Sequence, residues 1–537
     1  MSSSGEVAGK PGAFSPFGHR AFALLWIATL ISNIGTWMHD VGAGWLMTTL
    51  DPNPAVVTLV QAATTLPIFL FALFAGTLAD RLDKRRMLIT INVILTTVIA
   101  ALTVLVWQEL MTPLLLILFT LAIGTGAAFM APAWQSIVPQ LVPRDVLKPA
   151  ISLNSMGINI SRAIGPALAG LLIASVGLAA PFALNAASHV VIIAALLLWR
   201  PAITTTPRYH GPILSEMATG LRHVRHNPPM VATLIRAVAF FIFASAYWSL
   251  LPLIARNADG GGSELYGTLM ALIGVGAVTG ALLLPRLQDV LSSDQTVRAG
   301  TIGTSLSLVA MAIFGTPTAL MGAAFLGGLS WIAVLTSFNV SAQMALPNWV
   351  RARGLAVFLM GFFGSMALGS VLWGQLAAAT TLSVALLTAA AGLILGMFAT
   401  ARYSVGQGET LDLTAASIWP QAPDLQQVDS MDRGAMVSVE YRIAAENTDA
   451  FLAALHDFSK ERLRDGASRW HIHQNVEDPE IWIETFHLPS WAEHLEQHAR
   501  VTKADADLQS RVKAFDTNPD GPVVRHFLTP QSKGEGS

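Results

Sequence analysis

The chain has 537 residues, a formal net charge of −2, no cysteine, 53% apolar residues and only 12% charged ones; a soluble protein carries about 25% charged residues. This composition excludes disulfides, thiolate metal sites and cysteine nucleophiles, and it offers no basic surface of the kind that binds nucleic acid. Residues 1–429 hold 20 Lys/Arg against 16 Asp/Glu, whereas residues 430–537 hold 12 against 18, so an acidic tail follows a charge-poor body.

Residues 1–20 are rich in Ser, Gly and Pro and lack an apolar core, which reads as an N-terminal tail. The run from Ala21 to Leu50 is too long for a signal-peptide core and has no cleavage pattern behind it, so it predicts an uncleaved first membrane helix. Apolar runs of roughly 20 residues, each able to cross a hydrocarbon core of about 30 Å, then recur. They predict helices over 21–49, 55–79, 87–107, 112–134, 148–176, 180–199, 230–255, 264–284, 298–314, 317–344, 352–378 and 382–402.

An even number of spans puts both termini on one side. Alternate connections carry the cations: Arg81 to Arg86; Arg144 and Lys148; Arg200, Arg208, Arg222 and Arg225; Arg286 and Arg298; Arg351 and Arg353. The other connections hold Asp51, Glu109, Asp259 and a single cation, Arg256. Cations stay on the cytoplasmic side, so this alternation predicts a multi-pass protein of the cell membrane with both ends in the cytoplasm.

The link at 200–229 separates a half over 21–199 from a half over 230–402, and its stretch PILSEMATGLRHVRHNP reads as a short amphipathic helix on the cytoplasmic face. PQLVPRDVL at 139–147 and PNWVRARGL at 347–355 share Pro, Val and Leu at a constant offset, and Gln135 and Gln343 match at the same offset. Parallel repeats related by an axis along the membrane normal produce such echoes.

GTLADRLDKRRM at 76–87 is a charged turn between two apolar runs. With Gly76, Leu78, Asp80, Arg81, Lys84 and Arg85 it resembles the loop signature of major facilitator transporters. The resemblance implies an all-α membrane fold of twelve helices in two six-helix halves, a small-molecule substrate, the lipid bilayer as environment, and no cofactor. It also implies a gate in which Asp80 holds the outward-facing state against the start of the eleventh span, where Arg351 and Arg353 stand. Asp83 occupies a position where the family usually has glycine, and asparagine or aspartate tolerates a left-handed turn less well than glycine. The matching loop of the second half, GALLLPRLQDV at 280–290, keeps Gly280 and Leu282 but has Leu284 at the acidic position, which predicts an asymmetric gate. GPALAG at 165–170 is similar to the Gly-Pro-x-x-Gly-Gly motif of exporters in the same superfamily, with Ala169 for one glycine. Gly157, Gly165, Pro166 and Gly170 then mark an antiporter-type fifth helix, kinked because proline cannot donate an N–H.

Ionisable groups inside spans are costly and mark function. Arg162 lies near the middle of the fifth span, and Asp40 lies in the first beside His39. They are the candidates for attracting an anion and carrying a proton, the expected coupling ion because no GxxxxGK[ST] loop is present. Asp40 also reads as a helix-end charge, and Arg162 as a structural cation. His189 is a weaker candidate. Asn33, Gln61, Asn154 and Asn159 are cavity polars or interhelical hydrogen bonders, and Trp26, Trp37, Trp45 and Phe362 line a cavity or pack.

After a linker at 403–435, residues 436–530 read β-α-β-β-α-β, a ferredoxin-like α+β unit, with 490–515 as one helix. RDGASRWHI to WAEHLEQHARVTKAD resembles small antibiotic-biosynthesis-monooxygenase-like domains. Joined to a facilitator, it is similar to the transmembrane secretion effector branch, relatives of the enterobactin exporter. His494 and His498 stand four apart on a helix, but no third ligand at a fixed spacing completes a metal site; His471 and His473 alternate on a strand. The expected function is proton-coupled efflux of a small amphipathic or anionic molecule, a siderophore or a drug, by alternating access. The tail is expected to serve as a dimer contact rather than a catalyst. The alternative is a membrane-anchored enzyme with monooxygenase-like chemistry in that tail.

Overall fold

The computed structural model describes residues 12, 14–143, 146–200, 213–347, 349–414, 416, 431 and 433–530. Among them, twelve helices are long and apolar enough to cross a membrane. The helices are α1 (Arg20–Leu50), α2 (Pro54–Arg81), α3 (Lys84–Trp107), α4 (Pro113–Ile137), α5 (Leu147–Ser175), α6 (Ala180–Leu198), α7 (Ile213–Arg225), α8 (Pro228–Ser249), its short continuation α9 (Leu251–Asn257), α10 (Ser263–Gln288), α11 (Ser293–Ile313), α12 (Pro317–Met344), α13 (Arg351–Ala379) and α14 (Leu382–Ala399). The expected spans fall on these helices, with boundaries shifted by a few residues.

The starts of the helices follow from local chemistry. Proline opens α2, α4, α8 and α12, where its missing N–H has no intrahelical partner to lose. Asn53, Thr112 and Thr381 cap α2, α4 and α14 with side-chain oxygens. Ser292 and Gln295 form a capping box on α11. That box starts the helix five residues before the predicted 298 and brings Asp294 into its first turn.

Two compact units result. The first comprises Met1–Ile213, Ile235–Phe338 and Phe358–Tyr403. In it α1 packs on α5 and α6, α2 on α4, α3 on α6, α11 on α14, and α10 on α5. Long apolar side chains such as Leu70, Leu171, Leu198, Leu282, Leu395 and Phe398 point outward. The inside mixes large apolar side chains such as Phe182, Phe241 and Phe338 with Gly, Ala, Ser and Thr at close helix crossings. Many buried hydroxyls bond to their own helix: Thr58 donates to Pro54 O, Thr120 to Leu116 O, Ser161 to Gly157 O and Ser337 to Ala333 O at 2.9, 2.7, 2.9 and 2.8 Å.

The second unit comprises Leu214–Leu234, Asn339–Val357 and Ser404–Ser537. Its sheet has β1 (Ala435–Arg442), β2 (Ser468–Gln474), β3 (Ile481–Leu488) and β4 (Val523–Leu528), antiparallel in the order β2-β3-β1-β4. Helix α15 (Thr448–Arg464) covers it, burying Phe451, Leu455 and Phe458 against Val437, Val439 and Tyr441. The expected single helix over 490–515 is two, α16 (Trp491–Arg500) and α17 (Lys503–Lys513). The break has a local cause. Thr502 and Asp505 form a capping box, with Asp505 Oδ2 accepting from Thr502 N at 2.8 Å, and this starts a new helix after Val501.

The segment expected to lie as an amphipathic helix on the cytoplasmic face is α7, and its buried side meets protein. His223 stacks edge-on against Trp349 at 5.2 Å and lies 3.9 Å from Asp465, while Arg222 is 3.8 Å from Glu493. Arg500 lies over the Trp349 ring at 4.5 Å. Asn227 donates to Ala345 O at 2.8 Å. Burial, helped by Arg464, Arg500 and Arg222, pushes His223 down to about 2, so the imidazole is neutral and His223–Asp465 is not an ion pair at neutral pH.

One acid of this unit has the opposite shift. Glu461 is pushed up from 4.5 to about 9, first by burial and next by Asp505. Between those values the folded chain holds a proton that the unfolded chain has lost. The contribution of Glu461 is therefore fully present below about pH 4.5 and is lost as pH rises through about 9. Glu461→Gln copies the protonated form without the proton. The stabilisation it confers should grow from pH 5 to pH 9, read as amide hydrogen-exchange protection of α15 in the full chain; a pH-independent difference would show that Glu461 is ionised in the fold.

Candidate functional site

Asn33, Trp37, Asp40 and Gly44 recur at helical spacing and so share one face of α1. That face meets α5 and α10. A Cβ on Gly165 would lie 2.5 Å from Trp37 Cβ and 3.0 Å from Ile34 O, and one on Gly157 would touch the Trp26 ring at 3.4 Å. Trp26 Nε1 donates to Leu153 O at 2.9 Å. Gly157 and Gly165 therefore face α1. Gly170 faces the other way: its Cβ would be 3.0 Å from Gly267 Cα, and a Cβ on Gly267 would be 2.8 Å from Pro166 O. A Cβ on Gly274 would be 2.9 Å from Arg162 O. The motif glycines thus make α5 a thin wedge between α1 of the first half and α10 of the second.

The halves also meet at Gly44, whose Cβ would lie 2.8 Å from Tyr266 Oη and 3.3 Å from Pro252 Cγ, and where Trp45 stacks on Tyr266 at 6.2 Å. Gly374 of α13 approaches Thr58 and Pro54 O of α2 more closely still. Gly170, Gly267, Gly44 and Gly374 all sit toward the end that carries the 51–53 and 258–262 connections. These contacts hold the two halves together at that end.

Arg162 is half-buried. Its guanidinium lies 5.4 Å from the Trp37 ring centroid, and its buried Nε has no hydrogen-bond partner. A cation over an aromatic face is held by about 0.5–2 kcal/mol, which leaves hydrogen-bonding capacity for an anion. Asp40 is half-buried and has no hydrogen-bond or ion-pair partner among the described residues. It does not pair with Arg162, the intramembrane cation of α5. His39 is buried, stacks edge-on against Phe182 at 4.9 Å, and both its ring nitrogens lack partners. His189 is satisfied: its Nδ1 lies 2.8 Å from Asn92 Oδ1, and Asn92 donates to Leu88 O at 2.8 Å. Asn159 bonds within its own helix, to Ser155 O at 3.0 Å. Asn33 and Gln61 are half-buried on α1 and α2.

In the 76–87 turn, Asp83 caps α3, its Oδ1 accepting from Arg86 N at 2.8 Å. Its φ is −62° and its ψ is 111°. No left-handed conformation is needed, so the expected penalty for Asp in place of Gly is absent. Arg85 donates to Leu196 O and Leu197 O at 2.7 and 2.9 Å, tying α3 to the end of α6. Gly76 has open space beside it, Leu78 is half-buried and Lys84 is the first residue of α3. Asp80 lies in the last turn of α2; its side chain, like the backbone of Arg144, Asp145 and Asn348, is outside the described residues. Arg351 donates to Leu346 O at 3.3 Å, and Arg353 packs against Gly220 of α7.

Sequence reasoning missed two features. Arg236 of α8 is buried and lies 3.2 Å from Asp294 Oδ1, while Arg298 lies 2.6 Å from Asp294 Oδ2; Arg236 also donates to Thr400 O at 3.5 Å. An arginine inside an apolar span was the available signal, but starting the ninth span at 298 left its partner in a loop. The other is an aromatic cluster on α8, α12 and α13: Phe241 meets Phe362 at 4.4 Å, and Trp331 meets Trp248 at 5.2 Å. Trp248 Nε1 is buried without a partner.

The family described as transmembrane secretion effector matches residues 11–534. The staphyloferrin A transporter of Staphylococcus aureus is 26% identical over 344 residues, 63% of this chain and 85% of that protein. The enterobactin exporter EntS of Shigella boydii is 25% identical over 368 residues, 68% of this chain and 86% of that protein. Among solved structures, a bacterial homolog of the human lysosomal transporter Spinster, inward-facing, superposes with a TM-score of 0.58 at 13% identity, covering 72% of this chain and 98% of that one. A POT family transporter in complex with 5-aminolevulinic acid gives a TM-score of 0.61 at 12% identity, covering 74% and 98%. At such identities these structures show the shared fold.

Removing one partner of a buried ion pair costs about 3–5 kcal/mol because it strands a charge; Asp294 keeps some contact with water, so the low end applies. Asp294→Ala should lower the melting temperature in detergent clearly more than Arg298→Ala, whose side chain is half exposed. Equal shifts would show that Arg236 is satisfied without Asp294.

Proposed function

We propose that this chain, which belongs to the transmembrane secretion effector family of major facilitator transporters, exports a small anionic or amphipathic molecule of the siderophore kind in exchange for protons. The relatives and structural neighbours above are transporters, and the enzyme alternative has no support among them. The observation that carries the reading is the unpaired charge on the α1–α5–α10 seam. Arg162, held only by Trp37, has donors for a carboxylate or catecholate. Asp40, unpaired among the described residues and one turn before Gly44, which meets Tyr266, is the intramembrane carboxyl available to carry the proton. The half-exposed members of the α8–α12–α13 aromatic cluster supply stacking surface for an aromatic cargo.

In this reading the cationic connections are cytoplasmic, both termini lie in the cytoplasm, and the glycine-pinned end closes the outward side. Opening it is the outward-facing transition, which Asp80 with Arg351 and Arg353 would govern. We read the tail as a ferredoxin-like, monooxygenase-like domain without catalytic use, a reading that the antiparallel sheet order β2-β3-β1-β4 supports. Its packing with α7 and Trp349, just before α13, favours a regulatory role over the dimer contact also considered.

Efflux into everted vesicles, screened over siderophores and drugs with an imposed pH gradient, tests this. Asp40→Asn should abolish gradient-driven flux while substrate binding persists, and Arg162→Ala should weaken anion binding and move the pH optimum. Normal flux with a normal pH profile in Asp40→Asn would place coupling elsewhere.

In the same vesicles Asp80→Asn should impair efflux at near-normal membrane abundance. Undiminished flux would remove Asp80 from the gate.

A further inference from the structure

His494 and His498 lie one turn apart on α16, and β4 brings His526 beside them. One ring nitrogen from each lies within 4.8 Å of the others. The ring centroids of His494 and His498 are 4.7 Å apart, and those of His494 and His526 are 4.8 Å apart. Trp491 walls the cluster, 5.0 Å from His494 and 5.6 Å from His526. Sequence spacing supplied two imidazoles and no third, because the third comes from the opposite end of the domain.

We propose that this three-histidine cluster in the C-terminal domain binds a divalent transition metal ion of the zinc, cobalt or nickel type. The distances fit. His494 Nε2 and His498 Nε2 are 3.3 Å apart. Two imidazole nitrogens at about 2.0–2.1 Å from a tetrahedral ion stand about 3.3–3.4 Å from each other. His526 needs only a ring rotation to close the remaining distance. Imidazole is the ligand that these ions prefer, and three protein ligands leave a fourth position for water or an oxygen donor.

The surroundings also fit. His494 is 1% exposed. Burial first, then His498 and His526, push it down to about 3, so its imidazole is neutral and carries a lone pair. A ligating histidine is oriented by a partner on its other nitrogen. His494 Nδ1 and the neighbouring Gln497 Oε1 are both buried without a hydrogen-bond partner, and the two side chains are close enough to interact. A small rotation lets Gln497 accept from His494 Nδ1 and turns Nε2 toward the ion. Arg462, a cation of the same domain, is engaged by the buried Glu484 at 3.4 Å. On binding, each imidazole presents one ring nitrogen to the ion and keeps its proton on the other, so the neutral ligand set needs no net proton loss.

The test uses the full chain, purified without a histidine tag, stripped with chelator and titrated with Co2+. The expected result is one ion per chain with the visible absorption of a low-coordinate cobalt–imidazole site. His498→Ala and His526→Gln should each weaken it at least tenfold. The double variant His471→Ala/His473→Ala, which removes the exposed histidine pair on β2, should bind as wild type does. Substoichiometric binding by wild type, or binding that depends on His471 and His473 instead, would overturn the proposal. The readout is independent of efflux, so it can fail without the transport reading and survive without it.

Discussion

Backbone-to-backbone contact between α5 and α10 is the constraint on which the membrane unit depends. Gly170 meets Gly267, and Gly274 meets the Arg162 carbonyl. In lipid no hydrophobic force draws helices together, so close approach through small residues must supply the dispersion energy. A side chain at either crossing would force the halves apart. Because α5 is thin on both faces, α1 can lean on its other side, and this places Trp37, Asp40 and Gly44 along the same seam. The transport chemistry proposed for the chain is thus located by its packing: the unpaired charges lie where the two halves meet.

The soluble unit is organised by a different problem, the cost of burying polar groups. Glu484 is fully buried and accepts from Tyr441 Oη, Trp470 Nε1 and Arg462 Nε at 3.1, 2.9 and 3.4 Å. Arg464 is held between Asp465 and Asp505, both at 2.9 Å. Such networks specify one arrangement when every member is satisfied. In the histidine cluster, by contrast with the Glu484 network, His494 Nδ1 and Gln497 Oε1 have no partner. The same unit includes α7 and the 349–353 segment, so the tail is built together with connections between membrane helices rather than as a bead on a linker.

The spans were legible in the sequence because length and hydropathy dictate them, and the proline and Asx/Thr starts place their first residues. The role of each motif glycine was not. Periodicity says that Gly157, Gly165 and Gly170 recur on a helix, but not that two face α1 and the third faces α10. Asp40 and Arg162 were identifiable as intramembrane charges, yet their separation depends on how α1 rolls against α5, which no local rule sets. Arg236 was hidden by a misplaced helix start that concealed Asp294. His526 was invisible as a companion of His494 and His498 because only the sheet order β2-β3-β1-β4, which pairs the last strand with β1, brings β4 back toward α16. Asp83 shows the converse: a departure from the family pattern looked costly until its extended backbone and capping bond were seen.

The central claim is that the end pinned by α1, α5 and α10 must open for transport. Trp45 and Tyr266, stacked across that seam, can both be replaced by cysteine in a chain that has none. Efflux is then measured before and after joining them with a short bifunctional thiosulfonate, and again after reduction. The account predicts that crosslinking stops efflux and that reduction restores it. Efflux at the uncrosslinked rate with the crosslink complete would contradict it.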